Sequence, residues 1–242
     1  MCRERTTFPT RTVILSLLLG LSPVGCAPAV HPVTSLSRED GGRAVLGEPL
    51  VVSGHWWAMC ATHHFDKNGP KQEVCHQQQV RFEAWCQGEC RVEGDRVVVR
   101  EKGASVMVVP LALGRIHVHA KNTRLSTGEV DTRTFSVDVV PPERLALRCQ
   151  HDDNLSFAPC GPEGVSAAAP VIRPEIFLDS LQRGSRLLRV NSVVTPFDPS
   201  TPPLSLAQLF PEARQGEGVT AGTYPIELSL AGVTARFRVL AR

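Results

Sequence analysis

Short runs in which apolar and polar residues alternate are the feature of this sequence that most constrains its fold. The alternation begins near Arg43 and continues almost to the last residue. Its period of two is that of a β-strand with one buried face. In residues 115–121, three apolar side chains are predicted on one face and two histidines on the other. The two sets are Ile116, Val118 and Ala120 against His117 and His119.

The same pattern predicts further strands, separated by Gly, Asn and Pro residues. Turns are expected at Arg183-Gly184 and at Ala231-Gly232, and one helical turn is expected at residues 205–209. The other predicted strands are residues 45–52, 80–86, 96–100, 105–109, 132–140, 145–149, 176–179, 186–194, 224–230 and 233–240.

Strands of this length and spacing are typical of antiparallel β-sandwiches. Pro141-Pro142 interrupts the pattern, and because proline cannot donate to a strand ladder we interpret it as a domain boundary. The sequence therefore predicts a first β-sandwich domain over residues 43–140 and a second over residues 143–242.

The two halves end alike. Residues 114–120 (GRIHVHA) and 222–228 (GTYPIEL) each open the penultimate strand of their half, and a last strand containing Phe135 or Phe237 follows. This arrangement resembles the final hairpin of immunoglobulin-like modules in bacterial surface proteins. The resemblance implies an all-β fold with two immunoglobulin-like antiparallel β-sandwich domains in tandem.

The N-terminal region predicts export. Residues 1–11 carry positive charge, and residues 12–21 (TVILSLLLGL) form an apolar run of ten. Such a run is too short to span a bilayer, which needs about 20 residues, but it suits a signal peptide. We expect residues 1–25 to be the signal peptide and residues 26–42 to be a tether.

Residues 21–27 (LSPVGCA) resemble the lipobox of bacterial lipoproteins, in which a small residue precedes the cysteine that is lipidated. The resemblance implies a lipid on Cys26 and, because Ala27 is not aspartate, an outer-membrane destination. Acyl chains stabilise membrane attachment by about 0.8 kcal/mol per buried methylene. The alternative is ordinary cleavage within residues 27–29, which would release a soluble secreted or periplasmic protein.

Cysteine usage agrees with export, because an even set of cysteines in an exported chain predicts disulfides. Of eight cysteines, Cys2 leaves with the signal peptide and Cys26 is either lipidated or removed, so six remain. Local geometry favours three pairs, the first across the Asn68-Gly69 turn. The pairs are Cys60 with Cys75, Cys86 with Cys90, and Cys149 with Cys160.

The charge balance excludes a nucleic-acid partner. From residue 26 onward the sequence holds 23 basic and 23 acidic residues, so it lacks the cationic surplus that displaces counterions from phosphates.

Two groups of residues are candidates for binding. His117 and His119 could chelate a metal, and their strand resembles the copper-ligand strand of Cu/Zn superoxide dismutases; the simpler interpretation is two solvated histidines on a sheet face. Trp56 and Trp57 alternate along a strand, so one of them, near His55, could stack on a sugar or on a partner's aromatic ring. A thiolate–histidine metal site using the cysteines is the alternative to the disulfides, but no paired Cys-x-x-Cys spacing supports it.

No catalytic motif is present: the sequence lacks Gly-x-Ser-x-Gly, His-Glu-x-x-His and a phosphate-binding glycine loop. We therefore predict a non-catalytic cell-envelope lipoprotein that acts as a binding or assembly module without a cofactor. Its expected partners are the membrane, through the lipid, and another envelope protein or a glycan. The alternatives are a periplasmic metal-binding protein and a carbohydrate-binding module.

Overall fold

The computed structural model describes residues 31–36, 42–57, 61–63, 72–74, 79–101, 103–151, 156–160 and 171–241. The predicted signal peptide and Cys26 lie outside the described residues, as does most of the predicted tether.

The first half contains eleven strands among its described residues, and they form two facing sheets and one small hairpin. They are β1 (His31–Leu36), β2 (Arg43–Val45), β3 (Leu50–Trp57), β4 (Ala61–His63), β5 (Gln72–Val74), β6 (Gln79–Gln87), β7 (Cys90–Glu93), β8 (Val97–Glu101), β9 (Ala104–Pro110), β10 (Gly114–Arg124) and β11 (Val130–Val140).

One sheet has the order β1-β3-β9-β7 and the other the order β2-β11-β10-β6-β8, while β4 and β5 pair with each other. All pairs are antiparallel except that of β2 with β11. The letters A to G can be assigned, in chain order, to β1, β3, β6, β7, β9, β10 and β11. In these letters the two sheets have the strand orders ABED and GFC. This is the strand order of an immunoglobulin sandwich, with β2 and β8 added at the edges.

The second half is also almost entirely β-structure, again as two main sheets. Its elements are β12 (Arg144–His151), β13 (Ser156–Pro159), β14 (Val171–Leu178), β15 (Leu181–Arg183), β16 (Arg189–Val190), β17 (Val193–Val194), β18 (Leu204–Ser205), α1 (Leu206–Leu209), a 3₁₀ helix (Pro211–Ala213), β19 (Arg214–Gln215), β20 (Gly218–Val219), β21 (Gly222–Leu230) and β22 (Val233–Ala241). The sheets have the orders β13-β12-β14-β15, with β18 also on β14, and β17-β16-β21-β22.

The predicted all-β fold with antiparallel sheets is thus confirmed, and each half has its own apolar core. Inward side chains alternate along the strands as predicted, so that Ile116, Val118 and Ala120 are buried while His117 and His119 face outward. We refer to the two halves as the first and second sandwich.

Two predicted strands differ from the structure. Residues 45–52 form two strands, because Leu46-Gly47 make a turn that sends β2 to β11 and β3 to β9. Residues 186–194 form the short hairpin β16–β17 around Asn191-Ser192, rather than one strand.

The turn expected at Arg183-Gly184 lies instead at Asp179-Ser180, between β14 and β15. Asp179 and Ser180 both have positive φ, at 52° and 60°, as a two-residue type I′ turn requires. The predicted Ala231-Gly232 turn has the same conformation and joins β21 to β22. The predicted helical turn is α1, which Ser205 and Gln208 begin with a reciprocal capping box.

Candidate binding face of the first sandwich

Two of the predicted disulfides are present. Cys86 is joined to Cys90, with Cα atoms 6.3 Å apart, and Cys149 to Cys160, with Cα atoms 5.0 Å apart. The first closes the turn between β6 and β7, and the second ties the end of β13 to β12. Because these four sulfurs form two disulfide bonds, they are not thiolate ligands for a metal. Cys60 and Cys75 lie outside the described residues.

The candidate residues His55, Trp56 and Trp57 form the end of β3, where the backbone pairs with β1. Their side chains lie outside the described part of the structure, so their suggested role in stacking remains a prediction.

The two candidate histidines lie at the centre of the outer face of the β6–β10–β11 sheet, which we call the His–Trp face. The strand register places His119 between Trp85 on β6 and Thr134 on β11. It places His117 between Gln87 on β6 and Ser136 on β11. Two cross-strand rows of polar and aromatic side chains therefore lie side by side on this face.

Each imidazole is held by a hydroxyl group of the neighbouring strand. His117 Nδ1 lies 3.0 Å from Ser136 Oγ, and His119 Nδ1 lies 2.9 Å from Thr134 Oγ1. The indole of Trp85 stacks on the His119 ring, with centroids 5.4 Å apart and an angle of 13° between planes. Trp85 is nevertheless 39% exposed, so this stacked pair is accessible from solvent.

Ion pairs border the His–Trp face at both ends. Arg115 Nε donates to Asp138 Oδ1 at 2.7 Å next to His117, and this hydrogen bond holds the pKa of Asp138 below its usual value. Next to His119, Lys121 Nζ lies 3.8 Å from Glu83 Oε2, and Glu83 also pairs with Arg81. Each of these three cations is therefore ion-paired, but Glu83 is shared by two of them.

The edge strand β8 adds an apolar border to the face. Val97 and Val99 lie opposite Glu83 and Arg81 of β6 and are 43% and 52% exposed. The face thus combines an exposed aromatic pair, hydrogen-bonding groups and an apolar border.

Among the described residues, no three His, Cys, Asp or Glu side chains converge as metal ligands. In the same part of the chain, no helix is long and apolar enough to cross a membrane.

A groove of about 750 Å³ lies on the second sandwich along β21 and β22. Phe210 and Phe237 contribute aromatic rings to it, and Arg236 donates to Glu227 across it at 2.8 Å. The groove lining also includes Arg238.

Sequence reasoning missed Trp85. Its outward position follows from the alternation in β6, because Val80, Phe82 and Ala84 are buried. Its contact with His119 depends on the pairing of β6 with β10, which no local pattern specifies.

No known protein-family model matches the chain, and no curated protein matches it. Among solved structures, domains 5–6 of the S-layer protein SbsC match with 12% identity and a TM-score of 0.32, over 88% of this chain and 98% of that one. The fibronectin(III)-like modules of Clostridium thermocellum CbhA match with 13% identity and a TM-score of 0.25, over 88% and 94% of the two chains. These TM-scores are too low to support an inference, so the fold class rests on the sheet topology.

Proposed function

We propose that this protein is a non-catalytic lipoprotein of the cell envelope whose two sandwiches form one rigid unit. The unit presents the His–Trp face to another envelope protein or to a glycan. The contact between the two sandwiches is the observation that supports the rigid unit.

Strand β2 contributes to both cores. Ala44 is buried in the core of the first sandwich, whereas its neighbour Val45 is buried in the core of the second. Because successive side chains of a strand point to opposite sides, this three-residue strand packs between the two cores. An independent rotation of either sandwich would expose one of these side chains.

Hydrogen bonds to the backbone of residues 46 and 47 also stabilise the contact between the two sandwiches. Arg186 N donates to Gly47 O at 2.7 Å, and Ser185 Oγ donates to Leu46 O at 2.7 Å. Gly47 N in turn donates to Pro110 O at 3.0 Å, within the first sandwich. The 46–47 turn is therefore bonded to both halves of the molecule.

Gly47 is needed at this junction for two reasons. Its φ of +75° is one that other residues rarely adopt, and a Cβ atom there would lie 2.6 Å from Ser185 Oγ. Two ion pairs flank the contact, Arg43 with Asp179 at 2.5 Å and Arg186 with Glu93 at 3.6 Å.

The proposed location is supported by the signal-like residues 1–25 and by the lipobox-like residues 21–27. It is also supported by the two disulfides, because such bonds persist in oxidising compartments.

Rigidity can be tested with spin labels at two exposed positions, Leu125→Cys in the first sandwich and Leu181→Cys in the second. Pulsed dipolar spectroscopy should give one narrow distance distribution. Gly47→Ala should broaden it. Gly94→Ala is the matched control, because Gly94 has a similar φ of +79° but a Cβ there meets nothing within 4 Å. A broad distribution in the labelled protein without either glycine change would refute the rigid unit.

Anchoring can be tested separately by fractionation and mass spectrometry of the N-terminus. We expect a diacylated Cys26 in the membrane fraction, and release of the protein by Cys26→Ala. An unmodified N-terminus beyond residue 26 in the soluble fraction would instead support the secreted alternative.

A glycan partner is favoured by one observation, the exposed indole of Trp85 beside hydrogen-bonding side chains. Co-sedimentation with purified peptidoglycan tests it. Trp85→Ala should abolish binding while Val193→Ala, a change of an exposed valine on the second sandwich, should retain it. Equal binding by both variants would leave an envelope protein as the proposed partner.

A further inference from the structure

We propose that His117 and His119 form a two-imidazole site for a divalent first-row transition-metal ion, with Cu²⁺ bound more tightly than Zn²⁺ and water completing the coordination. This site is distinct from the proposed anchoring and rigidity, and it stands on different observations.

The spacing of the two histidines suits chelation. Residues i and i+2 of a strand point to the same side and lie about 7 Å apart along it. Imidazole nitrogens bind such ions at about 2.0–2.1 Å. The Nε2 atoms are at the far ends of the rings, so rotation of the two side chains towards each other brings both Nε2 atoms to one ion.

The hydroxyl partners orient the rings for this role. The hydroxyl groups of Ser136 and Thr134 form hydrogen bonds with Nδ1 of His117 and of His119, respectively. Each hydroxyl oxygen can accept a hydrogen bond from Nδ1–H, and that tautomer carries the Nε2 lone pair that a metal needs. A metal-bound histidine commonly donates its second ring nitrogen in this way, which orients the ring.

Carboxylates partly offset the cations beside the site. Arg115 and Lys121, the cationic side chains that precede and follow the histidines on the outer side of β10, are paired with Asp138 and Glu83. Because Glu83 also pairs with Arg81, one net positive charge remains in this group. Imidazole ligands favour Cu²⁺ over Zn²⁺ in the usual order of affinities.

Trp85 provides a built-in reporter for the site. Its ring stacks on His119 at 5.4 Å, so a paramagnetic Cu²⁺ bound to that imidazole would quench its fluorescence. The sequence contains three tryptophans, and Trp56→Phe with Trp57→Phe leaves Trp85 as the only one.

The experiment is a Cu²⁺ titration of this single-tryptophan protein with its disulfides intact. We expect saturable quenching of Trp85, which His117→Asn/His119→Asn abolishes. Zn²⁺ should reverse the quenching only at higher concentration. The absence of saturable quenching, or quenching that is unchanged in the double histidine variant, would overturn the proposal.

Calorimetry on the protein with all three tryptophans gives an independent measurement, in case the tryptophan changes affect folding. One Cu²⁺ site should disappear in the double histidine variant; an unchanged number of sites would contradict the proposal.

The orienting role of the hydroxyls has its own control. Thr134→Val with Ser136→Ala should weaken Cu²⁺ binding about tenfold, as removal of a histidine's second partner does in other metal sites. Thr132→Val changes a neighbouring exposed threonine of β11, opposite Lys121, and should leave the affinity unchanged. Equal affinities in all three proteins would show that the hydroxyls do not position the ligands.

Discussion

The two sandwiches bury similar aliphatic cores but cover them with different outer faces. In the first, the rings of Trp85 and His119 stack while remaining accessible. In the second, guanidinium groups cover the aromatic rings of the β12–β14 sheet. Arg144 lies 4.2 Å above the centre of the Phe177 ring, and Arg173 lies 4.6 Å from that of Phe157.

This difference concerns which groups cover the outward rings. On the second sandwich, two guanidinium groups lie on rings and Arg148 lies 2.9 Å from Glu175. On the first, the Nε2 atoms of His117 and His119 have no hydrogen-bond partner among the described residues, and the indole is exposed. The same architecture can thus carry different roles, because function resides in the outward side chains.

The largest expected effect is on the free energy of unfolding, when one methyl group is added at a glycine of each sandwich. At Gly54 a Cβ would lie 2.6 Å from Phe82 Cε2 and 2.9 Å from Asn122 Cγ, inside the first core. Gly54→Ala should therefore lower the free energy of unfolding by about 3 kcal/mol or more. Gly222→Ala in the second sandwich is the control, since its Cβ would be 3.9 Å from Tyr224 and should cost little. Urea denaturation of both variants measures this, and equal losses would contradict it.

The next largest expected effect is the loss of stability when a disulfide is removed, and this loss should differ between the two disulfides. Cys149 and Cys160 are 11 residues apart and Cys86 and Cys90 are 4 apart, so the longer loop loses more chain entropy when it is closed. Replacing the first pair by alanines should cost about 3 kcal/mol and the second about 2 kcal/mol. The Cys149 side chain is also buried in the core, which increases the difference. Chemical denaturation would contradict this if removal of Cys86–Cys90 cost more.

A smaller effect tests whether the sandwiches unfold together. Val45→Ala removes two methyl groups from the second core at a cost of about 2 kcal/mol. The three tryptophans lie in the first half, and Tyr224, in the second sandwich, is the only tyrosine. Tryptophan fluorescence and tyrosine absorbance should therefore report the same lowered melting temperature. Two separate transitions would contradict the rigid unit.

The smallest effect concerns two aspartates, one in each sandwich. Hydrogen bonds from Arg115 to Asp138, and from Ser200 to Asp198, lower the pKa of each carboxyl. A carboxyl whose pKa is lowered in the folded state stabilises the protein at pH values above its unfolded pKa of about 3.9. This stabilisation is lost as the pH falls through the folded pKa. Asp138→Asn and Asp198→Asn should each reduce stability slightly at pH 7, and the reduction should become smaller as the pH falls below the unfolded value.

The effects of the two aspartate substitutions should depend differently on salt concentration. The partner of Asp138 is charged, whereas the groups that donate to Asp198 are the neutral Ser200 hydroxyl and amide. The effect of Asp138→Asn should therefore shrink at about 1 M salt more than that of Asp198→Asn. Denaturation curves at both salt concentrations check this, and equal salt dependence would contradict the assignment.

Much of the fold could be predicted because strand patterns are local. The buried positions of β10, the hairpin turn at Ala231-Gly232 and the pairing of Cys86 with Cys90 all depend on residues close together in sequence. The divided strand at residues 45–52 could not be predicted, since the turn at Leu46-Gly47 is stabilised by Ser185 and Arg186 from far along the chain.

The candidate site was predictable only in part. Alternation alone placed His117 and His119 on the outer face of one strand, because successive side chains of a strand point to opposite sides. Their neighbours Trp85, Thr134 and Ser136 come from two other strands, and only the register of β6 and β11 against β10 brings them into contact. The sequence by itself therefore determined which side chains face solvent. The tertiary structure decided which of them meet, because contacts between strands depend on pairing across long stretches of chain.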